Sequence, residues 1–264
     1  MKVGISTASL FQRKNCEDAL KFLSDNNIDV AEVFLESFCD YTKKFGRVLK
    51  KVNKNTKVHS FHVLTTQFEP QLYSLNKRAS EDSFKILENV LKCAKIMGAK
   101  NYTFHGPARL KKTPIVLNYA RLGEITLRIQ ELCAKYGITL TYENVHWGYY
   151  NFVGYFKELK KYCPNLKATL DIKQARQSGV EVFDFIDEMA SDINTVHISD
   201  VDSTGKMCLP GKGEIDFESL FKKLKSVNFN GAIILEAYPA DFTDIEELLQ
   251  SYNYVKNMAE KIFS

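Results

Sequence analysis

Short runs rich in β-branched and aromatic residues alternate with longer amphipathic runs along the whole chain, and this alternation limits the possible folds most. Each short run is bounded by polar residues or Gly, as is typical of a strand. The longer runs place apolar residues at helical spacing, as in residues 80–97. The eight strand candidates are residues 3–6, 30–36, 57–63, 101–106, 139–145, 166–172, 193–200 and 232–238.

Eight strand–helix units in 264 residues are typical of a (β/α)8 TIM barrel. We therefore predict an α/β fold in which residues 1–264 form a single TIM-barrel domain of eight strands strictly alternating with eight helices. Helix starts are expected at residues 113–114 and 215–216. A doubly wound open sheet is the alternative, but residues 6–10 lack the Gly-rich phosphate-binding turn that usually follows its first strand.

The charge balance, the apolar runs and the cysteine spacing limit which binding partners and which cellular compartment we expect. Lys and Arg total 36 against 32 Asp and Glu, without a long run of like charges, so the charge alone neither requires nor excludes nucleic acid. Because no basic, aromatic face is evident, we expect no nucleic-acid partner. No window approaches the roughly 20 apolar residues of a membrane span, and the first residues run directly into a strand without a secretory segment. The six cysteines show no redox or metal-ligand spacing, which favours reduced thiols and a cytoplasmic location.

The carboxyl ends of the last six strand candidates carry residues that bind metals or transfer protons, and active sites of TIM barrels lie at these ends. Side chains alternate along a strand, so the residue two positions earlier shares the same face. Five of those six earlier residues are Ser or Thr, which predicts a polar layer beneath one pocket. The strand-end residues are His62, His105, Glu143, Asp171, His197 and Glu236, above Ser60, Thr103, Thr141, Thr169, Thr195 and Ile234.

Three carboxylates in one pocket repel each other unless a cation binds between them. Together with one imidazole they form an oxygen-rich site that suits Mn²⁺, Mg²⁺ or Co²⁺, with Zn²⁺ as a further option. We therefore predict one divalent metal ion. His62 and His105 either contact substrate or metal, or have a hydrogen-bonded structural role. Either Glu32 or Glu36 is expected at the pocket rim. His59 is expected on the opposite face of its strand from His62, which favours a structural or surface role.

Three loops complete the expected pocket. Residues 146–152, directly after Glu143, contain Trp147 and further aromatic residues. They suit the apolar face of a sugar, or form a packed loop or a subunit contact in a homo-oligomer. His146 itself lies beyond the strand end and is expected to be structural or exposed. Residues 64–79 and 201–214 are long enough to act as lids.

Several motifs resemble the xylose isomerase-like TIM-barrel superfamily, the sugar phosphate isomerase/epimerase group, and together they span essentially the whole chain. They are Asp-Val-Ala-Glu at residues 29–32, Tyr-Glu-Asn at 142–144, Leu-Asp-Ile at 170–172, Val-His-Ile-Ser-Asp at 196–200, Leu-Pro-Gly-Lys-Gly-Glu-Ile-Asp-Phe at 209–217 and Ile-Leu-Glu at 234–236.

The resemblance implies a function as well as a fold. Ketose 3-epimerases of this superfamily bind one divalent metal through four residues that correspond here to Glu143, Asp171, His197 and Glu236. In those enzymes the two glutamates also exchange the proton beside the carbonyl, through an enediolate that the metal stabilises. The expected function is therefore a metal-dependent isomerase or epimerase of a sugar or sugar phosphate, with Glu143 and Glu236 catalytic.

Two positions depart from the epimerase pattern, which often has a His where Gln174 stands and an Arg where Ser203 stands. Both family residues help to hold the sugar, so Gln174 is expected to contact substrate in its own way. Lys173 is expected either to bind a phosphate or carboxylate of the substrate, or to be a plain surface lysine.

Other functions of the superfamily remain as alternatives. An inosose dehydratase-like lyase begins with the same proton abstraction, so the metal residues do not separate it from an isomerase. An endonuclease IV-like apurinic-site nuclease shares His62 and His105, but it needs a His at the position of Gln174 and an Asp-x-His pair within residues 199–216, which contain no His. A non-catalytic sugar binder would not need the carboxylates.

Overall fold

Eight parallel strands close into a barrel in the computed structural model, which describes residues 1–64, 67–109 and 117–264. The strands of the barrel are β1 Lys2–Ser6, β2 Val30–Leu35, β3 Lys57–Val63, β4 Asn101–Phe104, β5 Thr139–Glu143, β6 Lys167–Asp171, β7 Ile193–Ile198 and β10 Ala232–Leu235. Neighbours in sequence are neighbours in the barrel, and β1 pairs with both β2 and β10 to close it. The predicted (β/α)8 TIM barrel is confirmed.

The helices connect successive strands, but their predicted number is wrong. Among the described residues there are ten α-helices, because the connections after β3 and β6 each contain two. Gly179, with φ of +70°, follows the first helix after β6, and the side chain of Asn76 caps the second helix after β3. They are α1 Cys16–Asp25, α2 Lys43–Val52, α3 Glu69–Leu72, α4 Lys77–Met97, α5 Tyr119–Lys135, α6 Tyr155–Lys160, α7 Ile172–Gln177, α8 Val182–Met189, α9 Phe217–Ser226 and α10 Ile245–Phe263.

The predicted helix start at residues 215–216 is confirmed, since Asp216 caps α9 by accepting a hydrogen bond from the Ser219 amide at 2.9 Å. The start expected at residues 113–114 lies outside the described residues. In the described ranges, we find no helix that combines the length and the apolar character needed to cross a membrane.

The polar layer predicted inside the barrel is present. All five of its hydroxyl residues are fully buried. Ser60 and Thr103 both donate hydrogen bonds to Oε2 of Glu32, at 2.7 and 2.8 Å, and Thr169 donates to Thr141 at 3.0 Å. These bonds join β3 and β4 to β2, and β6 to β5, directly below the strand-end residues.

The regular alternation of side chains along β3 predicts the wrong face of the strand for His59. A bulge in the pairing of β2 with β3 matches Ala31 with Val58 and Glu32 with Ser60, so His59 is an extra residue on β3. Its side chain therefore also points into the barrel, where Nε2 lies 3.0 Å from Oγ1 of Thr195. The expected structural role agrees with this buried position.

The segment after β7 is anchored rather than free. It contains a short antiparallel hairpin of β8 Asp200–Val201 and β9 Met207–Cys208. The buried carboxylate of Asp200 accepts four backbone N–H groups, from Val201, Gly211, Gly213 and Ile215, at 2.8–3.0 Å. The described residues of this segment do not line the cavity at the strand ends, so the expectation of a lid over residues 201–214 gains no support.

Candidate active site

The carboxyl ends of the strands surround a cavity of about 240 Å³. Five of the six strand-end residues identified from the sequence line it, and the sixth, His197, is buried among them with 1% of its surface exposed. The lining strand-end residues are His62, His105, Glu143, Asp171 and Glu236. The alternation of side chains along the strands thus places these residues together, as predicted.

Four of these residues form a compact cluster of possible metal ligands. One ligand atom from each of Glu143, Asp171, His197 and Glu236 lies within 4.8 Å of the others. The Nδ1 atom of His197 lies 3.1 Å from Oε1 of Glu143 and 2.6 Å from Oε2 of Glu236. Oε2 of each glutamate is buried without an aligned hydrogen-bond donor. Three carboxylates and one imidazole fit a single divalent cation, whose binding would displace a proton from the imidazole.

Buried charges shift the pKa values of the cluster in opposite directions. Burial, reinforced by the neighbouring Glu143 and Glu236, raises the pKa of Asp171 to about 7 in spite of the nearby positive charge of Lys173. Burial alone would also raise the pKa of Glu236, but His197 outweighs it and lowers that pKa to about 2. The carboxylates of Glu32, Glu236 and Glu143 hold the pKa of His197 well above its usual range, against the effect of burial. The imidazole is therefore the cluster's main internal counter-charge.

Asp171 is fixed from two sides. It ends β6 and caps α7, where Oδ1 accepts a hydrogen bond from the amide of Gln174 at 2.9 Å. The side chain of Asn144 bridges to the backbone of Asp171 in both directions, at 2.8 and 2.9 Å. Asn144 was not among the predicted site residues, although it stands beside Glu143 in the family motif.

Glu32, expected at the pocket rim, lies below the cavity. It is fully buried and does not line the cavity. Oε1 lies 3.0 Å from Nε2 of His197 and 3.5 Å from Nδ1 of His62, at ion-pair distance but without hydrogen-bond alignment. Burial alone would raise the pKa of Glu32, but these two imidazoles outweigh it and hold that pKa well below its usual range. Glu36, the other residue considered for the rim, is half-buried and also outside the cavity lining.

Four rings form a continuous row along one side of the cavity. The ring centroids lie 5.1 Å apart between Phe34 and His62, 4.6 Å between His62 and His105, and 5.5 Å between His105 and Trp147. The two imidazoles also approach each other edge to edge, with 2.8 Å between their Nε2 atoms. The row places Trp147 at the cavity, where the sequence predicted an aromatic residue.

Gln174 and Lys173 occupy different places in the site. Gln174 lines the cavity, and its Oε1 atom accepts hydrogen bonds from the backbone and ring of His146 at 3.1 and 2.5 Å. Lys173 is only 2% exposed, so it is not a surface lysine. Its Nζ atom lies 3.9 Å from the ring centroid of Tyr238, and Lys173 itself does not line the cavity.

One buried carboxylate beside the cavity has no counterpart in the sequence predictions. Glu69, the first residue of α3, is fully buried and accepts hydrogen bonds from Tyr102 and from the ring of His105. Its position within the loop expected to act as a lid gave no sign of these contacts. Residues 65–66 of that loop lie outside the described residues.

The closed barrel and the acidic cluster at its strand ends define a TIM barrel whose candidate site lies where this fold normally carries its chemistry. Residues 20–258 match the sequence profile described as Xylose isomerase-like TIM barrel. The chain therefore belongs to this family. A search of curated protein sequences gives no significant match.

Solved structures support the same fold at low sequence identity. The chain is similar to a D-tagatose 3-epimerase-like protein, with a TM-score of 0.82 and 18% identity over 99% of this chain and 98% of that protein. It is also similar to the IolI protein with a bound zinc atom, with a TM-score of 0.79 and 16% identity over the whole of both chains. For D-psicose 3-epimerase with D-tagatose, from Clostridium cellulolyticum H10, the TM-score is 0.78, with 14% identity over 99% of each chain.

Proposed function

We propose that the protein is a divalent-metal-dependent isomerase or epimerase that moves a proton on the carbon beside a sugar's carbonyl group. One observation carries this proposal. Glu143 and Glu236 reach the same cavity from β5 and from the end of β10, and each keeps a buried oxygen without an aligned hydrogen-bond donor. Two carboxylates that converge on one cavity are suited to remove a proton and to return one.

The four clustered ligands would hold the metal ion, which when bound polarises the sugar carbonyl and favours loss of the adjacent proton. The ligands are Glu143, Asp171, His197 and Glu236. Glu143 and Glu236 take and return the proton. The rings of Phe34 and Trp147 cover the apolar side of the sugar and exclude water from the reacting carbon. His62, His105 and the amide of Gln174 offer hydrogen bonds to its hydroxyl groups.

The cavity favours a compact, unphosphorylated sugar. Among the described residues that line it, none is Lys or Arg, the side chains that usually bind phosphate. Lys173, a candidate for that role in the sequence, directs its Nζ atom at the Tyr238 ring. The positive charge of Lys173 instead balances the buried carboxylates, since Asp171 and Glu236 raise its pKa against the effect of burial.

Proton exchange with heavy water tests the proposal directly. The metal-loaded protein is incubated in D2O with a panel of ketopentoses and ketohexoses, each with and without phosphate, and NMR measures deuterium beside the carbonyl. We expect exchange with at least one unphosphorylated ketose. Glu143→Gln and Glu236→Gln should each reduce the exchange rate at least about 100-fold, because the amide cannot accept the proton. Glu36→Gln, outside the cavity lining, is the matched control and should keep the wild-type rate.

Several results would contradict the proposal. Full exchange in either glutamine variant would remove that residue from proton transfer. A dehydrated product from an inosose, without epimerised sugar, would establish the lyase alternative instead. Cleavage of abasic DNA by protein that carries three zinc ions per chain would favour the nuclease. Absence of exchange across the whole panel, with one metal ion bound per chain, would exclude ketose isomerisation.

A further inference from the structure

A buried carboxylate outside the metal cluster controls one wall of the cavity. Glu69 has no exposed surface and accepts three hydrogen bonds. Its Oε1 atom accepts from the hydroxyl of Tyr102 at 2.5 Å. Its Oε2 atom accepts from both the backbone N–H and the ring Nδ1 of His105, at 3.3 and 2.8 Å. Burying a carboxylate is costly without such partners, so this site is strongly constrained.

These contacts determine which nitrogen of His105 carries the proton. A carboxylate oxygen offers only lone pairs, and the same Oε2 atom already accepts the backbone N–H of His105. Nδ1 must therefore carry the hydrogen. The other ring nitrogen of a neutral His105, Nε2, is then an acceptor.

The consequence extends to a second imidazole. Nε2 of His105 lies 2.8 Å from Nε2 of His62, and one of the two must donate. Since His105 accepts there, His62 donates. Nε2 of His105 also lies 3.2 Å from Oε2 of Glu143, the proposed proton-transfer carboxylate. The orientation of His105 thus fixes the polar surface that the substrate meets beside Glu143.

We infer that Glu69 is a positioning residue that holds His105 in its Nδ1–H form and, through His105, orients His62 at the cavity wall. The inference rests on the proposed function for its catalytic consequence, but not for its structural content. Glu69 itself does not line the cavity, so it acts only through His105. Its contacts do not include the four proposed metal ligands, so its loss should leave metal binding intact.

The tautomers can be measured without any activity assay. The protein contains five histidines, so ¹⁵N–¹H correlation spectra of the Mg²⁺-loaded protein are tractable, with His105→Gln and His62→Gln used for assignment. We expect His105 to be protonated at Nδ1 and unprotonated at Nε2, and His62 to be protonated at Nε2. A wild-type His105 protonated only at Nε2 would overturn the inference, even if no variant folds.

A pair of variants separates positioning from packing. Glu69→Met keeps a side chain of similar length but removes both acceptor oxygens that select Nδ1–H. Tyr102→Phe removes the other hydrogen bond of Glu69 and leaves the His105 contact intact. We expect Glu69→Met to mix the His105 tautomers and to lower kcat about 10- to 100-fold on whichever ketose shows exchange, with one metal ion still bound. Tyr102→Phe should change the thermal stability but neither the tautomer nor kcat.

Three outcomes would overturn the inference. The two variants could lower kcat equally, which would indicate a general packing role. Glu69→Met could leave the His105 spectrum unchanged. Alternatively, a second equivalent of Zn²⁺ could shift the Nε2 signals of His62 and His105 together, which would make the pair metal ligands. If no ketose is turned over but the tautomers are as expected, the proposed function fails while the positioning of His105 stands.

Discussion

His59 is held inside the barrel as a neutral imidazole, and this gives the protein a specific sensitivity to acid. Burial lowers the pKa of His59 to about 4. The unfolded chain, with a histidine pKa of about 6.5, therefore binds more protons than the folded chain between these values. The contribution of His59 to stability is present above about pH 6.5 and is lost as the pH falls towards 4.

Substitution of His59 should flatten this dependence. In His59→Gln, the loss of unfolding free energy between pH 7 and pH 5 should be smaller than in the wild type by about 2 kcal/mol, measured by urea denaturation of chelator-treated protein. His146→Gln is the matched control because that side chain is exposed. Equal losses in His59→Gln and wild type would show that His59 is not a buried neutral base.

The register of the strands made most of the cavity's residues predictable, and long-range contacts explain the rest. Every second residue before Glu143, Asp171 and Glu236 lies on the same face of its strand, and that face points into the barrel. His59 escaped this reasoning because a bulge depends on how two strands pair, not on either strand's own pattern. Glu69 escaped it because its partner His105 lies 36 residues away, with no periodic relation between them.

At the scale of elements, the sequence predicted the eight strands within two or three residues and placed the helix starts less completely. The strands are marked by β-branched residues bounded by polar ones, a local signal. The short helices α3 and α7 and the hairpin of β8 with β9 lack such a signal. They depend on tertiary contacts instead, such as the hydrogen bonds of Glu69 and of Asp200.

The segment after β7 depends on one carboxylate. Asp200 is 1% exposed, and two backbone N–H groups bind each of its oxygens. In Asp200→Asn, one oxygen becomes an NH2 group that faces two donors. We expect the free energy of unfolding to fall by about 2–3 kcal/mol and trypsin to cut faster after Lys212.

The neighbouring acid provides the control for this experiment. Asp202 lies in the same segment and accepts backbone hydrogen bonds from Thr204 and Lys206, but it is exposed enough for water to replace them. Asp202→Asn should therefore cost less than about 1 kcal/mol. If the two variants were equally stable, the anchoring role of Asp200 would be wrong.

For the whole molecule, the barrel closes through its own backbone pairing and apolar core, while the acidic cluster is confined to one end. Strand β1 pairs with β10 in continuous register from Lys2 to Ile5. The buried apolar core includes residues from all ten of the described α-helices. We therefore expect the fold to form without a metal ion. His62 and His197 supply positive charge among the carboxylates, which raise the pKa values of both imidazoles against the effect of burial. That the whole chain is one domain stays a prediction, as do its oligomeric state and cytoplasmic location.

Removal and addition of metal should therefore change the stability of the protein without unfolding it. Chelator-treated protein should keep its helical circular dichroism at 25 °C. Mn²⁺, Co²⁺ or Zn²⁺ at about 100 times its Kd should add about 2.7 kcal/mol, which corresponds to a rise in Tm of roughly 5–10 °C. Asp171→Asn should lose most of this rise because it removes one proposed ligand, whereas Glu36→Gln should keep it. A rise of equal size in both variants would place the metal elsewhere, and no rise with any of the ions would exclude a metal centre formed by the four clustered residues.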